Sequence, residues 1–416
     1  MEAAVSGEPG GQDTSMQSYL SGNILACLQV FGSFFLMINS WGVTNTFGAY
    51  QTYYEANLLK DESPSRISWI GSIQAFLLLL VGGCITGPIF DAGYLRSLII
   101  VGSITSVLGM MMTSICKEYW QIVLSQGLCV GIGAGCLFLP SVAVMPQYFT
   151  ERRAFATGIA ATGSSIGGVI YPIVFHELQP RIGFSWATRV IAFIMLATLI
   201  IPITVMRAKI SPSNRRPLFD LAVLRELPFD LFSFGFFFGM MGMYIPFYYM
   251  STYSTGRDIV NNNLGFYLLT IINAASVFGR IVPNFLADTI GPLNISAPFC
   301  CACAIIAFCW TSISSTGQAV VFCIFYGFFS GTFVSISPPA LASLSPDLNL
   351  VGTHMGMGFT CGGLGLLIGN PVAGILLDSY GWIGPAMFCG ACSILATCFV
   401  LIARLSKTGR VLIVKV

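Results

Sequence analysis

The chain has 416 residues, of which 55% are hydrophobic and 9% are charged, and its formal net charge is +2. A soluble globular domain carries about 25% charged residues, so this composition, with a mean hydropathy of +0.80, excludes an ordinary soluble enzyme. The nearly neutral charge balance also gives no sign of a nucleic-acid partner.

The charged residues occur in clumps that are separated by long neutral segments. About 20 apolar residues cross the hydrocarbon core of a bilayer, and within lipid only helices and closed barrels satisfy their backbone groups. Hydrophobicity that continues without alternation favours helices. The neutral segments lie at 19–54, 67–90, 119–150, 231–256, 355–377 and 289–346, the last being long enough for two helices joined by a polar turn at 311–317.

We therefore predict an all-α polytopic membrane protein whose main partner is the lipid bilayer. Twelve transmembrane helices fit the chain, with centres near residues 37, 79, 106, 132, 164, 196, 242, 273, 303, 331, 365 and 394.

The basic residues are distributed unequally between the two sides of this predicted bundle. If both termini are cytoplasmic, twelve basic residues lie on the cytoplasmic side and five lie opposite, which agrees with the positive-inside rule. The first 22 residues are polar and lack a basic start, so we expect no cleavable signal peptide. We expect a plasma-membrane protein with both termini cytoplasmic. The cytoplasmic set is Arg96, Arg152, Arg153, Arg207, Lys209, Arg215, Arg216, Arg225, Arg404, Lys407, Arg410 and Lys415.

The loop after the second predicted helix reads GPIFDAGYLRS at 87–97. Its glycines allow a tight turn, and an aspartate favours a neighbouring helix N-terminus electrostatically. The loop resembles the G-x-x-x-D-x-x-G-R loop of the major facilitator superfamily, in which the acid and the base pair with helix ends and lock one conformation. This resemblance implies that Asp91 and Arg96 act in conformational gating; the alternative is a tight turn with ordinary flanking charges.

The segment YFTERRAFATGIAATGSSIGG at 148–168 joins charge to a run of small residues. Arg152 and Arg153 are expected to anchor the helix at the membrane surface and to take part in gating. The small residues after them form a face on which membrane helices pack backbone to backbone, so we expect a sliding contact there. The segment resembles the fifth-span signature of the monocarboxylate porter family. The small face comprises Gly158, Ala161, Ser164, Gly167 and Gly168.

The resemblance covers nearly the whole chain and points to the fungal branch of that family. It implies a carrier related to fungal uptake carriers and to the transporters of secondary-metabolite gene clusters. The segments that resemble this branch are 41–54, 63–78, 116–135 and 167–175.

A basic, proline-containing segment at 207–229 divides the predicted helices six and six. The halves echo each other at an offset near 200, and weak duplication of this kind is typical of the major facilitator fold, which places its substrate between two pseudo-symmetric six-helix bundles. The matched pairs are Gly163 with Gly362, Pro172 with Pro371, and Asp91 with Asp288. The predicted divisions are a tail at 1–22, bundles at 23–207 and 230–405, a linker at 208–229 and a tail at 406–416.

Arg280 is the sharpest candidate for substrate binding, because an ionisable group inside a membrane is a functional hypothesis by default. It precedes Asp288 by eight residues, or about 12 Å along a helix. Monocarboxylate porters have an arginine at this spacing, and the resemblance implies that Arg280 receives a substrate carboxylate and that Asp288 acts in gating. A guanidinium suits this role because it can hold a carboxylate through two charge-assisted hydrogen bonds. The alternative is a structural arginine that pairs with helix-end carbonyls.

Other polar and aromatic residues are predicted to share the cavity with Arg280. An aromatic wall would suit cargo larger than lactate. Arg189 is expected instead to reach the outer interface. The predicted cavity residues are Asn39, Asn45, Phe138, Tyr244, Tyr248 and Asn273.

Two positions depart from the pattern of proton–monocarboxylate symporters. Ser276 stands where the animal carriers place an aspartate, and Asn45 stands in place of a lysine. Proton coupling would then fall to the substrate itself or to groups near the helix ends. A standard drug–proton antiporter is also excluded, because Val123 and Ser164 replace residues of the antiporter motifs, whereas efflux by another coupling stays open. The groups near the helix ends are His176, Glu177, His354 and Asp378.

These features predict a monomeric secondary carrier that moves a small organic acid by alternating access. It would use no ATP, cofactor or metal. We favour export of a fungal secondary metabolite, because the aspartate and the lysine of the proton–monocarboxylate symporters are missing. Uptake of a monocarboxylate or riboflavin-like nutrient is the open alternative. A membrane-embedded enzyme and a non-transporting sensor are weaker alternatives. The fourteen cysteines are expected to be unpaired, and Asn294 is expected in a cytoplasmic loop without a glycan.

Overall fold

The structure of the protein is a computed structural model that describes residues 10–149, 152–208, 223–345 and 351–409. Side chains are described in these ranges except at 10–22, 91, 224 and 262. Within these ranges every regular element is helical, as predicted.

Each half of the chain contributes six long helices. The first half consists of α1 (Asn23–Leu58), α2 (Pro64–Phe90), α3 (Leu95–Thr113), α4 (Tyr119–Tyr148), α5 (153–182) and α6 (184–205). The second half consists of α7 (Leu227–Gly256), α8 (Asn262–Ile290), α9 (Pro292–Ser312), α10 (Thr316–Leu344), α11 (Val351–Tyr380) and α12 (Ile383–Thr408).

Local sequence explains where several helices begin. The side chains of Ser63, Asn261 and Ser315 each accept a hydrogen bond from a backbone N–H in the first turn of α2, α8 and α10, as N-cap residues do. Pro228 lies in the first turn of α7, where proline is favoured. For this reason α7 begins within the predicted linker, three residues before the predicted second bundle. The α12 helix likewise continues past 405, and the positions 209–222 and 410–416 lie outside the described residues.

The helices α5 and α6 follow each other directly within Arg153–Val205, a stretch of 53 residues. A straight helix of that length would span about 80 Å, far more than the roughly 30 Å of a hydrocarbon core. Gly183 divides the run, because its φ of 79° and ψ of 166° are not helical. The rings of Phe175 and Phe184 lie 6.1 Å apart across this break, so the chain reverses there. The part of the chain that the structure describes therefore holds twelve long helices, as many as the sequence predicts.

The two halves meet through α5 against α8 and through α2 against α11. We call the end of the bundle where α6 leads toward α7 the linker end, and the opposite end the far end. Near the linker end, a Cβ atom on Gly83 would lie 2.5 Å from the Gly356 carbonyl oxygen. At the far end, Ser65 Oγ donates to the Pro371 carbonyl at 3.1 Å. The halves therefore touch at both ends, which is a closed conformation.

The matched positions of the two halves make equivalent contacts. Gly163 of α5 packs on Phe34 of α1, and Gly362 of α11 packs on Phe236 of α7. In each half the fifth helix thus contacts the first helix at the matched glycine, as duplication predicts.

Two predicted loops are shorter in the structure. Only Gly291 separates α8 from α9, because its φ of 103° makes the turn and Pro292 starts the next helix. Asn294 therefore lies in the first turn of α9, not in a loop, where its Oδ1 accepts from Arg404 Nε at 2.6 Å. The polar turn predicted at 311–317 is reduced to 313–315.

All fourteen cysteines fall within the described ranges and are free thiols.

We expect Gly183→Ala to destabilise the protein by about 1–3 kcal/mol, because only glycine adopts this backbone conformation without strain. No atom lies within 4 Å of the position that the added Cβ would take, so the effect is one of backbone strain alone. Thermal unfolding followed by size-exclusion chromatography measures it. The matched control is Gly317→Ala, since Gly317 has equally open surroundings. Equal unfolding temperatures for the two variants would contradict the assigned turn.

Candidate transport site

A small central cavity of about 20 Å³ lies between the two halves. In this closed conformation it has room for about one water molecule, so the halves would have to separate to admit a cargo. Its wall takes side chains from α1, α2, α4 and α5 of the first half and from α7, α8, α10 and α11 of the second. Of the described residues, none in α3, α6, α9 or α12 lines it. Both halves therefore build the cavity, and a movement of one against the other would reshape it.

Four aromatic rings form much of the cavity wall. Trp41 contacts Phe138 edge to face at 5.9 Å between ring centroids, and Phe138 lies 5.2 Å from Phe359. Phe359 in turn lies 6.2 Å from Phe236. Trp41 and Phe138 come from the first half and Phe359 and Phe236 from the second, so the contact of Phe138 with Phe359 covers the interface with apolar surface. Phe138 was predicted at this site from the sequence, whereas the other three rings were missed.

Trp41 owes its position to the backbone of α1. The helix widens into a π-helical turn at Ile38–Gly42, a feature that often occurs at functional sites. Trp41 also stacks on Tyr244 of α7, with the ring centroids 5.7 Å apart. The only sequence signal was a tryptophan in the middle of a neutral segment, which does not reveal the direction of its side chain.

Arg280 of α8 is the one cationic side chain in the described wall of the cavity, and only 4% of its surface is exposed. One terminal nitrogen donates to the Ala161 carbonyl at 3.1 Å and to Ser164 Oγ at 2.6 Å, both on α5. The Nε–H is buried without a hydrogen-bond partner. Among the described acidic residues, none forms an ion pair with the guanidinium. Arg280 thus joins the halves and keeps a donor and a full charge unmatched.

The contact between α5 and α8 is close enough to need small residues. Gly158 lies directly against the backbone carbonyl of Arg280, so a side chain at that position would collide with it. Asn284, which was not predicted, holds the same carbonyl through its Nδ2 at 2.8 Å and also bonds Ser335 of α10 at 2.7 Å. The small-residue face predicted on α5 therefore meets α8 at the arginine.

Asn45 and Asn273 meet across the two halves without lining the cavity in this conformation. Asn45 Nδ2 donates to Asn273 Oδ1 at 3.2 Å, and Ser165 Oγ lies 2.6 Å from Ser276 Oγ nearby on α5 and α8. These buried polar contacts would have to break when the halves separate. Ser276, which stands at the position expected for the aspartate of the symporters, is neutral, and so is its partner Ser165.

The remaining predicted cavity residues lie behind the wall. Tyr244 and Tyr248 are buried in α7, and Tyr248 contacts Phe47 at 5.2 Å between ring centroids. Asn39 points away from the cavity, because its amide bonds Thr198 at 3.0 Å and accepts from Tyr171 at 2.9 Å within the first half. Asn39 is therefore placed as a structural residue.

At the linker end, the Asp288 carboxylate caps α5. Its two oxygens accept the backbone N–H groups of Ala154 at 2.9 Å and Phe155 at 3.0 Å, so a negative charge from the second half lies at a helix N-terminus of the first. Arg152, Arg153 and Arg96 are exposed, and none of the described ion pairs includes them. The side chain of Asp91 lies outside the described residues.

The groups that were considered for proton coupling lie near the helix ends, as expected. His176 stacks on Phe266 of α8 with the ring centroids 4.1 Å apart, and Glu177 accepts from Tyr267 at 3.3 Å. The Nδ1 atom of buried His354 lies 2.5 Å from Ser345 Oγ.

Arg189 Nε donates to Ser114 Oγ at 3.1 Å at the far end of α6, which agrees with an interfacial position.

Two six-helix halves with a cavity between them are the architecture of carriers that work by alternating access. The profile of the Major Facilitator Superfamily matches residues 24–362, and the chain belongs to this family. It is therefore a secondary transporter.

Similar proteins from fungi agree with this assignment. The MFS-type transporter dbaD of Emericella nidulans is 44% identical over 92% of this chain and 87% of its own length. The agnestins efflux protein AgnL12 of Paecilomyces divaricatus is 37% identical over 92% of this chain and 88% of its own. The aspyridones efflux protein apdF of Emericella nidulans is 36% identical over 88% of this chain and 74% of its own.

We expect Asp288→Asn to loosen the linker end, because it removes the charge that stabilises the start of α5 by about 1 kcal/mol. Hydrogen exchange in the peptide that contains Ala154 and Phe155 should become about fivefold faster. The matched control is Asp378→Asn, which removes an exposed carboxylate at the far end. Unchanged exchange in Asp288→Asn would contradict the capping role.

Proposed function

We propose that this transporter exports a fungal secondary metabolite that carries a carboxylate or another weak acid. The single observation that carries the chemistry of the cargo is the unmatched charge of Arg280 in the cavity wall. A buried cation without a counter-ion is costly, and an anionic cargo would supply the missing partner through charge-assisted hydrogen bonds. The direction is supported by relatives whose names describe efflux of agnestins and aspyridones.

The wall around Arg280 favours a cargo with flat apolar parts. Trp41, Phe138 and Phe359 offer ring faces and edges, and aromatic surface binds such parts through stacking and apolar contact. A small acid such as lactate would leave most of this surface unused. We therefore infer an organic acid that is larger than lactate and partly aromatic or polyunsaturated.

Transport follows from the contacts that join the halves. Opening the linker end would separate Asp288 from the start of α5, and opening the far end would break the contact of Ser65 with Pro371. Arg280 lies between these ends, so it could meet the cargo from either side. The bonds of Arg280 to Ala161 and Ser164 would be exchanged for bonds to the anion as α5 and α8 slide.

We assign the chain, within its superfamily, to the fungal branch of the monocarboxylate porters. The resemblance of 148–168 to their fifth span supports this assignment, as does the place of Arg280 before Asp288. The excess of basic residues at the linker end supports a cytoplasmic linker and cytoplasmic termini in the plasma membrane. We also propose that the protein is a monomer and that it has no enzymatic activity, cofactor or metal.

We expect Arg280→Gln to lower export at least tenfold, because hydrogen bonds to a charged group contribute about 1.5–3 kcal/mol. Arg280→Lys should also fail to restore full export, since a lysine keeps the charge but lacks the planar fork. The measurement compares the acids inside and outside host cells that lack the gene, overexpress it or carry a variant. Arg189→Gln is the matched control, because it removes an arginine at the far end of α6 that contacts Ser114 and not the cavity.

An acid that accumulates in the null cells and rises in the medium on overexpression would identify the cargo and establish export. Normal export by Arg280→Gln would contradict the role of Arg280. If instead overexpression leaves the acids in the medium unchanged and the null cells fail to take up a labelled monocarboxylate or a riboflavin-like nutrient, the protein is an importer.

A further inference from the structure

The far end of α1 carries a carboxylate inside the helix bundle. The neutral segment ends at Tyr54, so sequence alone places Glu55 at the edge of a loop. In the structure α1 remains helical to Leu58, with a π-helical turn at Tyr54–Leu58, and Glu55 is partly buried. None of the described basic side chains forms an ion pair with it.

The nearest partner of Glu55 is the amide of Gln51, one helical turn earlier. Gln51 Nε2 donates to a carboxyl oxygen of Glu55 at 2.9 Å. Only 1% of Gln51 is exposed, and its Oε1 is buried with no hydrogen-bond partner. An ionised carboxylate can only accept hydrogen bonds, whereas a protonated one can also donate. Protonated Glu55 could therefore donate to Gln51 Oε1 while it accepts from Nε2, which would close a two-bond ring and satisfy the buried acceptor.

This pair belongs to a polar cluster that joins the two halves. Tyr249 of α7 interacts with the side chain of Gln51 and with that of Ser68 in α2. It also donates to the backbone carbonyl of Asn370 in α11 at 3.1 Å. The side-chain Oδ1 of Asn370, which is 2% exposed, likewise lacks a partner. The cluster must come apart when the far end opens.

Among the described charged groups around the cluster, none forms an ion pair with Glu55. At the start of α2, Arg66 is paired with Glu62 at 2.7 Å. On α11, Asp378 is a second, exposed carboxylate at the same end of the bundle. At the far ends of α5 and α8, Glu177 contacts His176, Arg181 and Tyr267. At the far end of α7, Arg257 lies over the ring of Tyr253.

We propose that Glu55 is a proton-binding site that holds the far end closed. A hydronium ion at the far surface gives its proton to the carboxyl oxygen that Gln51 Nε2 leaves free. The new O–H bond replaces one of the hydronium ion, which becomes water, and the carboxylate loses its charge. The neutral acid–amide pair then fits the closed cluster. Opening exposes Glu55 to water again, and the proton leaves on the side from which it came, so the site senses pH at the far surface without carrying protons across. This role rests on the alternating access of the proposed carrier.

Infrared difference spectroscopy of the purified full-length protein tests the proton site without any cargo. Between alkaline and mildly acidic solution, wild type should gain a carbonyl band of a protonated carboxyl group. Glu55→Gln should lose that band, whereas the control Glu62→Gln, a carboxylate at the same end, should keep it. Persistence of the full band in Glu55→Gln would overturn the proposal.

Gln51→Met tests the acid–amide pair itself, because it keeps an unbranched side chain but removes the amide. The carboxyl band should remain and move to higher wavenumber, since the O–H group of Glu55 loses its acceptor. A band at the wild-type position would show that the proton on Glu55 is not shared with Gln51, contrary to the proposal.

Hydrogen exchange tests the effect on the gate. Glu55→Gln imitates the protonated state, since a second amide can both donate to and accept from Gln51. At one alkaline pH, the far-end peptides of α1 and α7 should take up less deuterium in Glu55→Gln than in wild type or Glu62→Gln. Equal or greater uptake would overturn the gating role. None of these readouts uses a cargo, so their failure would leave the proposed export intact, and a failure of export would leave the proton site intact.

Discussion

The helices α5 and α8 are held together around one buried cation. The guanidinium of Arg280 reaches from the second half to Ala161 and Ser164 of the first, while Gly158 lets the two backbones come close enough for this reach. Burying a charge costs several kcal/mol unless partners compensate, and two neutral acceptors compensate only in part. The closed conformation therefore keeps a charge that a bound anion would stabilise further. The proposed recognition of an anionic cargo and the proposed sliding of α5 on α8 both depend on this arrangement.

The two ends of the bundle use different chemistry around the same centre. At the linker end, the carboxylate of Asp288 accepts two backbone N–H groups at a helix N-terminus. At the far end, amides, a tyrosine and the partly buried Glu55 meet in a cluster whose unpartnered acceptors fit a neutral acid. The linker end therefore opens against an electrostatic attraction, whereas we propose that the far end responds to protons.

The sequence predicts the fold well, because neutral segments, basic loops and matched glycines all reflect the limits that lipid places on a chain. It also singles out Arg280, the one arginine far from any helix end. The sequence does not show the direction of apolar side chains in helices that are hydrophobic all round. For that reason Trp41 and Phe359 were missed, and Asn39 was expected in the cavity although it bonds Thr198. Glu55 was overlooked because α1 stays helical beyond its neutral segment.

The central claim is that the cavity recognises its cargo as an anion through Arg280, and exchange across a liposome membrane tests it most directly. Full-length protein in liposomes loaded with the exported acid would be given either the labelled acid or its labelled methyl ester outside. The account predicts accelerated, protein-dependent exchange of the acid and none of the ester, which keeps the shape but loses the charge. Equal protein-dependent exchange of both would contradict it, because binding would then depend on the aromatic wall alone.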